Sequence, residues 1–99
     1  MEKESELIHN EQWHRFEMHI DDKTAFIEYT KEGNTYLLMH TEVPPELEGH
    51  GLAKSLVEKT FDWLEKKGAK MTPYCPYIFT YIKRHPEWKR IEVPKEEME

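Results

Sequence analysis

The sequence predicts an α/β domain in the order β-β-β-α-β-α: a three-stranded antiparallel meander, a helix, one parallel strand and a second helix. Three observations predict it. Apolar residues alternate from Trp13 to Thr41, which is the two-residue period of a strand with one buried face. After Pro44-Pro45 the spacing becomes helical. Past Gly68 comes a short apolar run, then Pro76 and a second helical pattern.

Each element follows from its residues. In the meander, Phe16, Met18 and Ile20 are expected on one face, as are Ala25, Ile27 and Tyr29, and then Leu37, Met39 and Thr41. Asp21-Asp22-Lys23 and Lys31-Glu32-Gly33-Asn34 supply the turns between them. Leu52, Ala53, Leu56, Val57, Thr60, Phe61 and Leu64 form one helical stripe, while Lys54, Glu58, Lys59, Asp62, Glu65 and Lys66 are expected to face water. Gly68 ends that helix. Ala69 to Thr72 is the fourth strand, closed by Pro73. The second helix starts at Cys75, with Pro76 at its first position, and His85-Pro86 stops it. The crossover through the long helix sets the fourth strand parallel to the third.

Composition bounds the function. The 99 residues amount to one domain, 1–99, with an ordered core over about 8–92 and charged ends, 1–6 and 95–99, that are expected to fray. The net charge of -6 argues against a nucleic-acid partner, because phosphate neutralisation dominates such binding. No apolar run approaches the roughly 20 residues of a membrane span. The first residues lack the apolar centre of a signal peptide, and a single cysteine forms no internal disulfide, so a cytoplasmic location is expected. Six histidines show no i,i+4 helical pair and no Cys/His cluster, so no metal is expected.

The stretch Glu46-Leu47-Glu48-Gly49-His50-Gly51 opens the long helix. A first helical turn has unpaired N–H groups and a partial positive end, and glycines let an anion approach them. Taken alone, Gly49-x-Gly51 reads first as a tight turn that needs small residues. Its surroundings, His40-Thr41-Glu42-Val43-Pro44-Pro45 before and Leu52-Ala53-Lys54-Ser55 after, resemble the acetyl-CoA motif of GNAT acetyltransferases, Gln/Arg-x-x-Gly-x-Gly/Ala between strand and helix. With Cys75-Pro76-Tyr77 and His85-Pro86-Glu87-Trp88 in order behind it, the chain looks like the small GNAT-like family from about Phe16 to Trp88.

The resemblance implies that amides of Gly49, His50, Gly51, Leu52 and Ala53 hold the pyrophosphate of acetyl-CoA, with Lys54 one turn on. It also implies that Thr41, Glu42 and Val43 pair with the pantetheine arm. Glu46 departs from the family's Gln or Arg, and Glu48 adds a second carboxylate, which His50 and Lys54 partly offset. Cys75, at a helix N-terminus that favours the thiolate, lies near the acyl sulfur in the small family and is a candidate acyl acceptor. Its other reading is a small buried hydrophobe. Tyr81 matches the helix whose tyrosine protonates the departing CoA thiolate in larger GNAT enzymes, or else packs the core, and Tyr77 lies one turn earlier. His40 is the best general-base candidate, on one strand face with Glu42; a solvated face is the alternative. Lys83-Arg84 is expected to form a charged helix end, with contact to the cofactor's 3′-phosphate as the alternative.

The implied function is acetyl transfer from acetyl-CoA to an amine or protein acceptor. A non-catalytic acyl-CoA-binding or sensing module is the second reading, and an interaction domain with a structural glycine turn is the third.

Overall fold

A computed structural model describes residues 6–97; the outermost residues of both charged ends lie outside them. Among the described residues five strands form one mixed sheet: β1 (Ile8–Asn10), β2 (Arg15–Ile20), β3 (Lys23–Glu32), β4 (Thr35–Glu42) and β5 (Lys70–Pro73). They are ordered as in sequence, antiparallel from β1 to β4 and parallel between β4 and β5. Helix α1 (Leu52–Lys66) makes the crossover and α2 (Pro76–Arg84) follows β5. Short 3-10 helices at Pro45–Leu47, Pro86–Ile91 and Lys95–Glu97 complete the path. The Cα radius of gyration is 13.0 Å, the value expected of one domain of this length.

The core lies between one face of the sheet and the helices. Phe16, Met18, Ile20, Ala25, Ile27 and Tyr29 enter it from β2 and β3. From α1 come Leu52, Leu56, Val57, Phe61 and Leu64. Each large apolar side chain so buried contributes about 1.5–3 kcal/mol. Helix α1 closes at Gly68, whose φ of 69° lets the backbone turn back, so that Ala69 N–H reaches the Leu64 carbonyl at 2.9 Å. Glu58 departs from the expected water-facing set: it is half-buried and accepts a 2.8 Å hydrogen bond from the Tyr81 hydroxyl.

Strand β1 was not legible in the periodicity. It is three residues long, and its signal is a histidine. His9 lies among Phe16, Tyr29, Tyr36 and Trp63, with ring centroids 4.5–6.0 Å apart, and its Nε2 meets the Tyr29 hydroxyl at 2.6 Å. At the opposite edge, Met71 bridges to Glu92 and Val93 N–H donates to the Met71 carbonyl at 2.8 Å.

The expected face of β4 needs correction. Tyr36 and Leu38, not Leu37 and Met39, join the helix-side core. Glu28 pairs with His40 but its neighbour Tyr29 pairs with Leu38, so Met39 is an extra residue in β4. Such a bulge reverses which alternate residues face the core. Thr41 therefore lies opposite core-facing Ile27, whereas His40 and Glu42 lie opposite Glu28 and Phe26 on the other face.

Candidate functional site

The bulge also marks where the sheet opens. Parallel pairing of β4 with β5 ends at Leu38 and Pro73, where the chain leaves the sheet to enter α2 at Pro76. The Leu38 carbonyl then accepts from both Tyr74 and Cys75 N–H at 2.9 Å, and the chain turns into α2. Beyond that point β4 runs on to Glu42 with no β5 partner. Pro44-Pro45 and the single turn Pro45–Leu47 carry the chain across to the start of α1.

That start is built from glycine geometry. Gly49 has φ 87° and Gly51, the N-cap, φ 74°, a left-handed conformation that costs a non-glycine residue about 1–2 kcal/mol. No side chain caps the helix, so the amides of its first turn stay unpaired within the helix. A Cβ built at either glycine meets nothing within 4 Å. The loop is thus glycine for its backbone, and it faces open space.

The open space is a cavity of about 310 Å³ lined by Thr41, Val43, Leu47, Glu48, Gly49, Gly51, Leu52, Ala53, Lys54 and Tyr77. Of the residues the sequence assigned to the cofactor, Thr41, Val43, Gly49, Gly51, Leu52, Ala53 and Lys54 are brought together here. His50 and Glu42 are exposed and do not line it. Leu47 and Tyr77 were not assigned to the cofactor. Leu47 was legible only as an apolar residue in a polar turn, and Tyr77 as the first-turn partner of Tyr81.

The two extra carboxylates separate. Glu46 turns outward to Lys23, with Nζ to Oε2 3.9 Å, while Glu48 lines the cavity. Cys75 is the N-cap of α2, 5% exposed, with its Sγ 3.3 Å from Thr41 Oγ1. It stands behind Thr41 and is not in the cavity wall. Tyr81, 7% exposed, is also outside that wall, and its proton is engaged with Glu58. Burial first, then the Glu58 hydrogen bond and charge, push its phenol far above the ordinary range. Tyr77 is 42% exposed and its phenol is pushed up, chiefly by burial. His40 and Glu42 do meet, Nε2 to Oε1 at 2.9 Å, on the sheet face away from α1. Among the described residues no three His, Cys, Asp or Glu gather to hold a metal.

The model for the GCN5-related N-acetyl-transferase family matches residues 15–91. The chain belongs to the GNAT family. Protein NATD1 of Xenopus tropicalis, Mus musculus and Homo sapiens is 39% identical to this GNAT chain over 49 residues, half of the chain and 45%, 44% and 43% of those proteins. The matched stretch thus spans less than half the length of these relatives. The GNAT fold is also that of a GCN5-like protein from Staphylococcus aureus solved by NMR, with a TM-score of 0.68 over 90% of this chain and 88% of that one at 21% identity.

Proposed function

We propose that the chain binds acetyl-CoA in this cavity and transfers the acetyl group to an amine. The observation that supports it best is the pairing of an uncapped α1 N-terminus with two glycines whose missing side chains leave the amides open. Helix N-termini hold phosphate through such amides and the helix dipole. They do so here despite a net charge of -6, since local donors outweigh a diffuse field at contact distance.

In this reading the amides of Gly51, Leu52 and Ala53 hold the pyrophosphate and Lys54 adds a cation. The edge of β4 at Thr41 and Val43, freed where β5 turns away, holds the pantetheine arm. The thioester supplies an activated acyl group when bound. His40, held by Glu42, takes the proton of an amine arriving from the sheet's open face, its other ring nitrogen being the acceptor. Tyr77, in the cavity wall, is better placed than Tyr81 to return a proton to the leaving thiolate. Direct transfer suits this geometry better than a route through Cys75, because the thiol is buried behind Thr41.

Calorimetric titration with acetyl-CoA and with CoA tests the reading. Saturable binding that raises the melting temperature is expected, and release of free thiol in the presence of a primary amine would show transfer. Binding without release would assign the chain to the acyl-CoA-sensing class instead. Absence of binding would leave the glycine loop as a structural turn.

A further inference from the structure

Strand β1 forms the edge of the sheet opposite β5 and precedes the residues that match the family, 15–91. It is three residues long, and a strand this short adds little pairing by itself. Ile8 is exposed, Leu7 packs only partly against the core, and Asn10 Nδ2 donates to Glu17 at 3.0 Å. The remaining hold is His9. It pairs with Phe16 in register and enters the helix side of the sheet. There its ring stacks on Phe16 at 4.8 Å and meets Trp63 edge-on at 4.5 Å. Tyr29 and Tyr36 complete an aromatic box at 5.6 and 6.0 Å, and Nε2 meets the Tyr29 hydroxyl at 2.6 Å.

This box suits a neutral imidazole. Aromatic rings also attract cations, but here two cations already use them. The Lys31 ammonium, from β3, lies over Tyr36 at 5.1 Å, and that of Lys67, after α1, lies over Trp63 at 5.5 Å. A proton on His9 adds a third positive charge beside those two. Phe16 on β2 and Trp63 on α1 carry no charge to answer it, and Arg15 and Glu17 alternate to the other face of β2. Tyr29 supplies no counter-charge, because burial first, then Tyr36 and Glu11, push its phenol up to about 12. Glu11, in the turn after β1, favours the charged ring, but desolvation outweighs it and holds His9 below the ordinary imidazole value.

We propose that β1 is a pH-operated clasp: neutral His9 locks it into the aromatic box, and proton uptake under mildly acidic conditions draws the ring into water, frees β1 from β2 and leaves β2 as the open edge of the sheet. An edge element with so few holds is where local opening occurs. The released ring titrates at about 6.5, and the boxed ring lower. The locked state therefore binds fewer protons than the released one. The clasp is firmest above about pH 6.5 and loosens as pH falls from there toward the boxed value. One proton limits the effect to about tenfold in the opening equilibrium per pH unit.

The test is amide hydrogen exchange of the full chain, read by NMR and corrected for intrinsic rates. Between about pH 7.5 and about pH 5.5, protection of the β1–β2 amides is expected to fall about fivefold to tenfold, while β3–β4 amides keep theirs. His9→Phe fills the box without titrating and should flatten the response, as should His9→Gln. His14 is exposed and also lies against Tyr29, at 5.6 Å. His14→Asn, which suits the φ of 56° there, should leave the response intact. In the wild type the His9 ring should titrate below that of His14. Constant wild-type protection, an equal fall in either His9 variant, or a His9 midpoint matching that of His14 would each overturn the clasp. A fall shared by every strand would overturn it too, since that is loss of the whole fold and not release of β1.

Discussion

Gly51→Ala separates the two reasons for a glycine at the head of α1. Gly51 has φ 74°, so alanine there is strained by about 1–2 kcal/mol, partly offset because alanine restricts the unfolded chain. A net loss of about 1 kcal/mol corresponds to a melting temperature lower by roughly 4–8 °C in a domain of this size. Nothing in the protein clashes, since the added Cβ meets no atom within 4 Å. Gly68, at the other end of the same helix, has φ 69° and is equally open. Gly68→Ala is thus a matched control with the same strain and no place in the cavity. Both variants should lose similar stability. Gly51→Ala alone should weaken CoA binding, by about tenfold or more if one amide contact to a phosphate is lost. The assay is titration with CoA at a temperature where both variants are fully folded, beside their thermal melts. Equal affinities for Gly51→Ala, Gly68→Ala and the wild type would refute the cradle and leave the glycine explained by its backbone.

Cys75→Ala should destabilise by about 1–2 kcal/mol, because a buried sulfur leaves a small void, yet keep most of the turnover and give no acetylated protein by intact mass. A hydroxylamine-sensitive acetyl adduct on the wild type would reverse that and assign the thiol to the chemistry. Tyr77→Phe should lower the maximal rate more than Tyr81→Phe, whereas Tyr81→Phe should cost more stability, since it strips the Glu58 carboxylate of its 2.8 Å donor. The opposite order in a stopped assay of thiol release would restore Tyr81 as the acid. Glu48→Gln removes a carboxylate from the cavity wall, so CoA should bind more tightly at low salt and the gain should fade as salt is added. An affinity change independent of ionic strength would mean that Glu48 is not near the pyrophosphate.

Much of this protein is written in local periodicity. The stripe from Leu52 to Leu64 buries as expected, save for a half-buried Ala53, because helical spacing and apolar surface together leave one way to pack α1. Pro76 and Gly68 punctuate their helices through backbone restrictions that any context shares. The glycine turn and the family's motifs were legible for the same reason, being short and contiguous. The tertiary structure decided what depends on a partner strand. The extra residue Met39 in β4 exists only relative to β3, and it alone sends Thr41 toward the cavity and His40 with Glu42 to the other face. Strand β1 is fixed by the rings around His9, not by its own three residues. The engagement of the Tyr81 hydroxyl likewise rests on Glu58, a side chain on another helix. Sequence spacing gives a residue's direction along its own element; which neighbour it then meets is set by how the elements are registered against one another.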